Sequence, residues 1–170
     1  MRSLLPAAIA LVLLVPAVGG AADAPAMTPA DRLESAVLDE LNLVRLEHGL
    51  RQLQLNPQLT QAADVHTHQM IVAGFFAHES RDGTHFAARI KSFYKPRGRT
   101  WKVAENLIWQ ERRLSARRAV TAWLASPGHR ENLLGADYRE VGISALRARG
   151  APGVYGNRRV VVVTVDFGTR

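Results

Sequence analysis

The 170-residue chain contains no cysteine, few aromatic residues and, beyond its first two dozen residues, no long apolar run. The missing cysteine excludes disulfides, thiol catalysis and thiolate-ligated metals, so an apolar core must hold the fold together. Only 6% of the residues are aromatic, and few of them lie among the basic residues, which argues against nucleic-acid binding. Three motifs are also absent: His-Glu-x-x-His, Gly-x-Ser-x-Gly and a glycine-rich phosphate loop.

The one long apolar run lies between Leu4 and Val18, after Arg2 and before small residues that end near Ala24. This order is typical of a secretory signal peptide, and the run is shorter than the ~20 apolar residues that a membrane-spanning helix needs. We therefore interpret residues 1–24 as a cleaved signal peptide and residues 25–170 as one domain. The expected product is soluble, monomeric, and secreted or periplasmic. An uncleaved membrane anchor is the alternative.

The chain is basic, with 22 Lys and Arg residues against 15 Asp and Glu residues and a net charge of +7. The basic residues are concentrated in three groups, within residues 91–102, 112–118 and 147–159. Such a surface is expected to attract anionic lipid or an acidic polymer of the cell envelope. The alternative is that the arginines only keep the protein soluble.

Hydrophobic periodicity and capping residues predict five helices. The first has its apolar face on Leu33, Val37 and Leu41 and ends near Gly49, and the second ends at Gly74. The third is expected to end near Tyr94 and the short fifth at Gly135. The predicted helix starts are Thr28-Pro29, Asn56-Pro57, Phe86, Ser115 and Ser126-Pro127.

The C-terminal part changes to the period of a strand. Residues 141–146 and 160–167 predict an antiparallel hairpin around a turn-rich segment, and residues 101–109 predict a third strand. The strand at 160–167 is apolar on both faces, which predicts a central position. Helices around a small antiparallel sheet predict an α+β fold, a three-layer α-β-α sandwich.

Three side chains with ligating or acid/base chemistry lie at the edges of these elements. His78 follows the second helix on a loop, and His129 lies in the first turn of the fifth helix, where the helix N-terminus disfavours a protonated imidazole. Glu105 lies in an apolar run, where a carboxylate must be paired, hydrogen-bonded, metal-bound or exposed. If the three converge on a cleft, they form a metal site or an acid/base site.

Four segments together resemble the CAP superfamily of cysteine-rich secretory, antigen 5 and pathogenesis-related proteins: Phe-Ala-His-Glu-Ser, Ala-Glu-Asn-Leu, Ser-Pro-Gly-His-Arg-Glu-Asn-Leu-Leu and Val-Asp-Phe-Gly. The resemblance extends from Leu33 to Gly168, and the cysteine-free chain resembles the bacterial branch. It implies the CAP fold, also called SCP-like, with His78, Glu105 and His129 in the family's cleft. The family's second acid falls on Gly83 here. Asp82 is the candidate substitute, unless it only forms the turn.

The resemblance also implies supporting residues. Asn42 and Arg45 match the family's Asn-x-x-Arg motif and are expected to act as hydrogen-bond struts, and Asn106 and Asn132 accompany Glu105 and His129.

His66 and His68 are two positions apart on a helix and point in different directions, so they make a poor metal pair.

We expect a binding or accessory factor of the cell envelope or extracellular space whose cleft binds a divalent cation. Two imidazoles, carboxylate and water suit zinc or a similar ion. The candidate ligands are His78, His129, Glu105 and Asp82. One alternative is a metal-dependent hydrolase of peptide, polysaccharide or ester substrates, with His78, Glu105 and His129 as candidate catalytic groups. Another is a lipid-binding module.

Overall fold

The structure is a computed structural model that describes residues 24–170. The proposed signal peptide therefore lies outside the described residues, apart from Ala24. No helix within this range is long and apolar enough to cross a membrane. The elements are β1 (Ala26–Pro29), α1 (Asp31–Glu47), β2 (Gln54–Leu55), α2 (Pro57–Ala73), α3 (Phe86–Phe93), β3 (Lys102–Glu111), α4 (Ala116–Leu124), α5 (Pro127–Leu133), β4 (Glu140–Ala151), a 3₁₀ turn (Gly153–Tyr155) and β5 (Arg158–Thr169).

The strands form one five-stranded sheet with β5 in its middle, between β4 and β3, and both pairs are antiparallel. The predicted hairpin and the central position of its second strand are confirmed. Two short strands were not predicted: β1 pairs antiparallel with β4, and β2 pairs parallel with β4. The two long strands of the hairpin also extend further than predicted, with a register shift between Ala148 and Ala151.

Alternate side chains of β5 enter different cores, as the period of a strand requires. Val161, Val163 and Val165 pack with residues of α1, α4 and α5, whereas Val160 and Val162 pack with the C-terminal half of α2. A third cluster joins α2 to α3. Helices therefore cover both faces of the sheet, and the predicted α+β fold with its three layers is confirmed.

The helix starts were predicted well except for the first. Asn56 caps α2 by accepting hydrogen bonds from the backbone N–H groups of Gln58 and Leu59, and Gly74 ends this helix in the left-handed conformation. Thr28 and Pro29, in contrast, belong to β1 rather than to the cap of α1. Pairing with β4 takes this segment into the sheet, and α1 begins at Asp31 without a side-chain cap.

One close approach holds α2 against the sheet. A Cβ atom added to Gly142 of β4 would lie 2.0 Å from the backbone carbon of Leu59 and 2.2 Å from the backbone nitrogen of Thr60. Glycine is therefore the residue that lets the first turn of α2 lie directly on β4. This contact fixes the height of α2 above the sheet and, with it, the position of the helix that precedes the His78 loop.

We predict that Gly142→Ala destabilises the protein by at least about 2 kcal/mol, because backbone atoms must move to make room for the methyl group. Gly98→Ala is the matched control, since nothing lies within 4 Å of the added Cβ atom there. Urea unfolding of both variants measures the difference. Equal midpoints for the two variants would show that α2 does not lie this close to β4.

Candidate functional site

Two acidic side chains lie next to each other inside the sheet. Glu105 of β3 is the register partner of Asp166 of β5, so both side chains point to the same face. Thr164, two residues before Asp166, hydrogen-bonds to Thr67 of α2, which identifies this face as the one covered by α2. Both acids are inaccessible, with 2% of Glu105 and 0% of Asp166 exposed. Burial of two adjacent carboxyl groups demands compensation.

Arg89 of α3 supplies that compensation. Its guanidinium forms an ion pair with Oε2 of Glu105, and both side chains are almost completely buried. The same guanidinium donates hydrogen bonds to the carbonyl oxygen of His78 at 2.9 Å and to Oγ of Ser80 at 3.2 Å. One cation therefore joins α3, β3 and the loop that carries His78.

Two carboxyl groups lie near this single cation, and the environment of Asp166 is the less favourable one for a carboxylate. Burial, followed by the negative charge of Glu105, raises the pKa of Asp166 well above its usual range. Neither carboxyl oxygen of Asp166 has a hydrogen-bond partner of normal geometry within residues 24–170, although Glu105 is its neighbour across the strands. Asp166 is therefore the member of the pair that keeps its proton, while Glu105 forms the ion pair with Arg89.

His78 is oriented by Glu105. Its Nδ1 lies 2.8 Å from Oε1 of Glu105, so Nδ1 carries the hydrogen and donates it to the carboxylate. The opposite nitrogen, Nε2, makes no hydrogen bond to any described residue, and 40% of the imidazole is exposed. His78 thus presents Nε2 away from Glu105, while both oxygens of Glu105 are engaged.

The loop that carries His78 is held by its main-chain carbonyl groups. Tyr155 donates to the carbonyl of Phe75 at 2.9 Å, and His66 donates from Nε2 to the carbonyl of Ala77 at 2.9 Å. The carbonyl of His78 accepts from Arg89, as described above. Three successive anchors within four residues leave the loop little freedom, so the position of the imidazole is set by the core.

His129 reaches the same place from α5. The backbone of this helix is anchored by Asn106, which donates to the carbonyl of His129 at 3.0 Å, and by Asn132, which donates to the carbonyl of Glu105 at 3.2 Å and to Oδ1 of Asn106 at 2.9 Å. Arg45 of α1 holds the end of α5 through the carbonyl of Leu133 at 2.8 Å. Arg45, Asn106 and Asn132 together hold the backbone of α5, which carries His129.

The two imidazoles lie near each other, with their ring centroids 6.1 Å apart. His129 is partly buried, and its ring nitrogens make no hydrogen bond within the described part of the chain. Burial, and then the neighbouring His78, lower the pKa of His129 below the usual histidine value. His129 is therefore neutral at neutral pH, with a free nitrogen lone pair.

Asp82 and Asn42 lie apart from these imidazoles. Asp82 is exposed and accepts a hydrogen bond at 2.9 Å from the backbone N–H of Thr84, which makes it a turn-forming residue. Asn42 exchanges two hydrogen bonds with the backbone of Leu53. Between residues 24 and 170, no group of three or more His, Cys, Asp or Glu side chains is arranged to hold a metal ion. The four candidate ligands are thus not assembled as a set.

Sequence reasoning missed the groups behind the cleft. Arg89 was not singled out, although it lies three residues after Phe86 on the inner face of a short amphipathic helix. Asp166 lies in the Val-Asp-Phe-Gly segment but was not a candidate site residue, although a carboxyl group in an apolar central strand signals a buried partner. His66 was considered only as half of a poor metal pair. It is fully buried, burial lowers its pKa, and its Nδ1 has no partner among the described residues.

The arrangement can bind but has limited means to transfer protons. Two imidazoles lie near each other, and each has a ring nitrogen without a hydrogen-bond partner among the described residues. Both oxygens of the neighbouring Glu105 are occupied, one by His78 and one by Arg89. Its chemical role is to fix the tautomer of His78, as carboxylates do behind ligating histidines.

The family follows from comparison with known proteins. The pattern of the CAP family, described as the cysteine-rich secretory protein family, matches residues 38–167. Most of the chain is covered, including the loop of His78, strand β3 and helix α5. The chain belongs to the CAP family, as its motifs indicated.

Two proteins of Bacillus subtilis (strain 168) resemble the chain. It is 28% identical over 114 residues to the uncharacterized membrane protein YlbC, covering 67% of this chain and 32% of YlbC. It is 28% identical over 116 residues to the uncharacterized protein YkwD, covering 68% of this chain and 43% of YkwD. The chain thus spans less than half the length of either relative.

Solved structures share the fold. A crystal structure of an extracellular protein containing an SCP domain from Bacillus anthracis superposes with a TM-score of 0.63 at 24% identity, covering 82% of this chain and 41% of that chain. An outer surface protein from Borrelia burgdorferi superposes with a TM-score of 0.65 at 21% identity, covering 86% of this chain and 98% of that chain. At these identities the likeness establishes the fold alone.

The protonated state of Asp166 predicts a pH effect of defined sign. Because its folded-state pKa lies above the unfolded value, the folded protein holds this proton when the unfolded chain has released it. The contribution of Asp166 to stability therefore falls as pH rises above the unfolded value of about 3.9. Asp166→Asn removes this loss, so the stability of the variant relative to wild type should increase from pH 4 to pH 7. Urea unfolding across this range provides the measurement.

Asp137→Asn is the control, since Asp137 is an exposed acid that pairs with Lys102. Its stability difference from wild type should not follow the pattern of Asp166→Asn. A stability difference between wild type and Asp166→Asn that stays constant from pH 4 to pH 7 would contradict the assignment of the proton to Asp166.

Proposed function

We propose that this CAP protein is an extracytoplasmic binding factor whose cleft binds a divalent transition-metal ion through His78 and His129. The location is supported by the signal-like sequence of residues 1–24. It is also supported by the extracellular and outer-surface descriptions of the Bacillus anthracis and Borrelia burgdorferi structures of the same fold.

One observation carries the proposal: the contact between Nδ1 of His78 and Glu105, which leaves Nε2 of His78 free beside the ring of His129. A histidine that binds metal typically gives its other nitrogen to a carboxylate, which sets the tautomer and increases the basicity of the ligand. Glu105 occupies this position. We therefore assign Glu105 to the support of His78 rather than to the metal itself.

The donor set fits a borderline cation such as zinc, copper or nickel, because imidazole suits these ions better than the harder magnesium or calcium. With two protein ligands, the remaining positions belong to water or to a bound partner. Such a site is weaker than a closed site with four protein ligands and remains open to exchange. An open, exchangeable site suits a binding or accessory role.

The same geometry favours binding over the hydrolase alternative. A hydrolase of this type needs a carboxylate that can accept a proton from water. Glu105 is the buried carboxylate behind the cleft, and its two oxygens are held by His78 and Arg89. Proton transfer to Glu105 would leave Arg89 as an uncompensated buried charge, which is costly.

We predict that the protein binds zinc and that His78→Ala and His129→Ala each reduce the affinity at least about tenfold, because each removes one of two ligands. His68→Ala is the matched control, since His68 is an exposed histidine on α2. Isothermal titration with zinc measures all three variants. Binding should also weaken below about pH 6, where histidines gain protons that compete with the metal.

Two results would refute the metal proposal. The first is equal weak heats from the wild-type protein and a His78→Ala/His129→Ala double variant. The second is an effect of His68→Ala as large as that of the two cleft variants, which would indicate binding to scattered surface histidines.

A second candidate function, lipid binding, is favoured by a hollow of about 570 Å³ between α2 and α3. Its size falls within the range of small-ligand pockets. Its apolar lining comes from both helices and the loop between them: Val65, Val72, Ala73, Phe75, Ala88 and Phe93. An acyl chain could lie along this lining, with its polar end near Arg81.

This candidate predicts palmitate binding that Ala88→Trp weakens at least about tenfold, because the indole fills the hollow. Ala122→Trp on the exposed side of α4 is the control and should bind palmitate like wild type. Native mass spectrometry with added palmitate measures both. Undiminished binding by Ala88→Trp would exclude this hollow, whatever the outcome of the metal titrations.

A further inference from the structure

Six arginines gather at the end of the sheet where β3 stops and the β4–β5 hairpin turns. The six residues, which we call the arginine groove, are Arg112, Arg113, Arg147, Arg149, Arg158 and Arg159. All six are exposed. They come from three separate segments of the chain, so only the folded sheet brings them together.

The backbone at this end is held in an unusual conformation. Arg112 and Asn157 are the only non-glycine residues between 24 and 170 with a positive φ, at 68° and 58°. The N–H of Arg112 donates to the carbonyl of Arg159 at 2.8 Å, which joins the end of β3 to the start of β5. A left-handed arginine costs energy, and here the conformation places Arg112 beside Arg159.

The charges of the groove are poorly neutralised. Glu111 is the single acid among the lining residues of the described chain, and it lies 3.4 Å from Nε of Arg112 and 3.9 Å from a guanidinium nitrogen of Arg158. The other four arginines form no ion pair with any residue from 24 to 170. Like charges held this closely repel one another, which raises the electrostatic free energy of the folded protein. An anionic ligand would reduce this repulsion.

The surface is concave, and the exposed apolar residue in its lining is the small Ala26. The arginines line two adjacent hollows of about 350 and 720 Å³. Their largest apolar lining residue, Val160, is 2% exposed, so it belongs to the core. A surface built for membrane docking presents apolar side chains that enter the bilayer. The shape and chemistry of the groove favour a chain-like anion over a lipid surface.

We propose that the arginine groove binds an extended anionic polymer that carries repeated phosphate or carboxylate groups. Guanidinium groups match either anion with two parallel hydrogen bonds, and all six cations are arginines rather than lysines. The groove lies on residues separate from His78 and His129, so this binding is independent of the proposed metal site.

The test compares two variants with the same loss of charge. Arg112→Ser/Arg147→Ser/Arg159→Ser alters the groove, and Arg32→Ser/Arg97→Ser/Arg99→Ser removes three exposed arginines elsewhere. Long-chain inorganic polyphosphate and polyglutamate are the probes, and affinity is measured by fluorescence anisotropy over a range of salt. The groove variant should lose at least about tenfold in affinity for one or both polymers. It should also show a salt slope lower by about two. The control should lose less than threefold.

Three results would overturn the proposal. In the first, wild type binds neither polymer at low salt. In the second, the two variants lose affinity equally, which would attribute the binding to net charge. In the third, wild type prefers vesicles of phosphatidylglycerol and phosphatidylcholine over both polymers and the groove variant loses that preference, which would identify the groove as a membrane-docking surface.

Discussion

The buried ion pair between Arg89 and Glu105 is the interaction on which the candidate site depends. It joins α3 to β3, and through the carbonyl of His78 it also holds the loop between α2 and α3. Removing one partner of such a pair typically costs about 3–5 kcal/mol, because the other charge is left buried without compensation. The pair also orients His78, because Glu105 holds its imidazole and Arg89 holds its carbonyl oxygen.

The cluster divides its tasks among residues that look alike in the sequence. Glu105 and Asp166 are neighbouring acids, but Glu105 forms the ion pair with the guanidinium, whereas Asp166 keeps its proton. His66 and His78 are both held by hydrogen bonds, but the first is sealed in the core and the second reaches solvent. Contact with the Arg89 guanidinium thus separates the two acids, and access to water separates the two histidines. Of these four groups, His78 can reach a ligand and the others support it.

Much of this was predictable from the sequence, for physical reasons that differ between elements. Asn56-Pro57 and Gly74 mark the ends of α2 because their effects on the backbone are local. The helix start predicted at Thr28-Pro29 was wrong because these residues pair with strand β4, which lies more than a hundred positions away in the chain. The residue types of the cleft were visible in the motifs. The partners Arg89 and Asp166 were not, because their roles arise from strand register and from the way α3 packs against β3.

The order of the strands has a consequence for when the protein can fold. β5 is the middle strand of its sheet and follows both of its neighbours, β3 and β4, in the chain. During synthesis, β3 has no partner strand among the described residues until β5 has emerged. The strand that carries Glu105 is therefore fixed in the sheet only after almost the whole chain has been made.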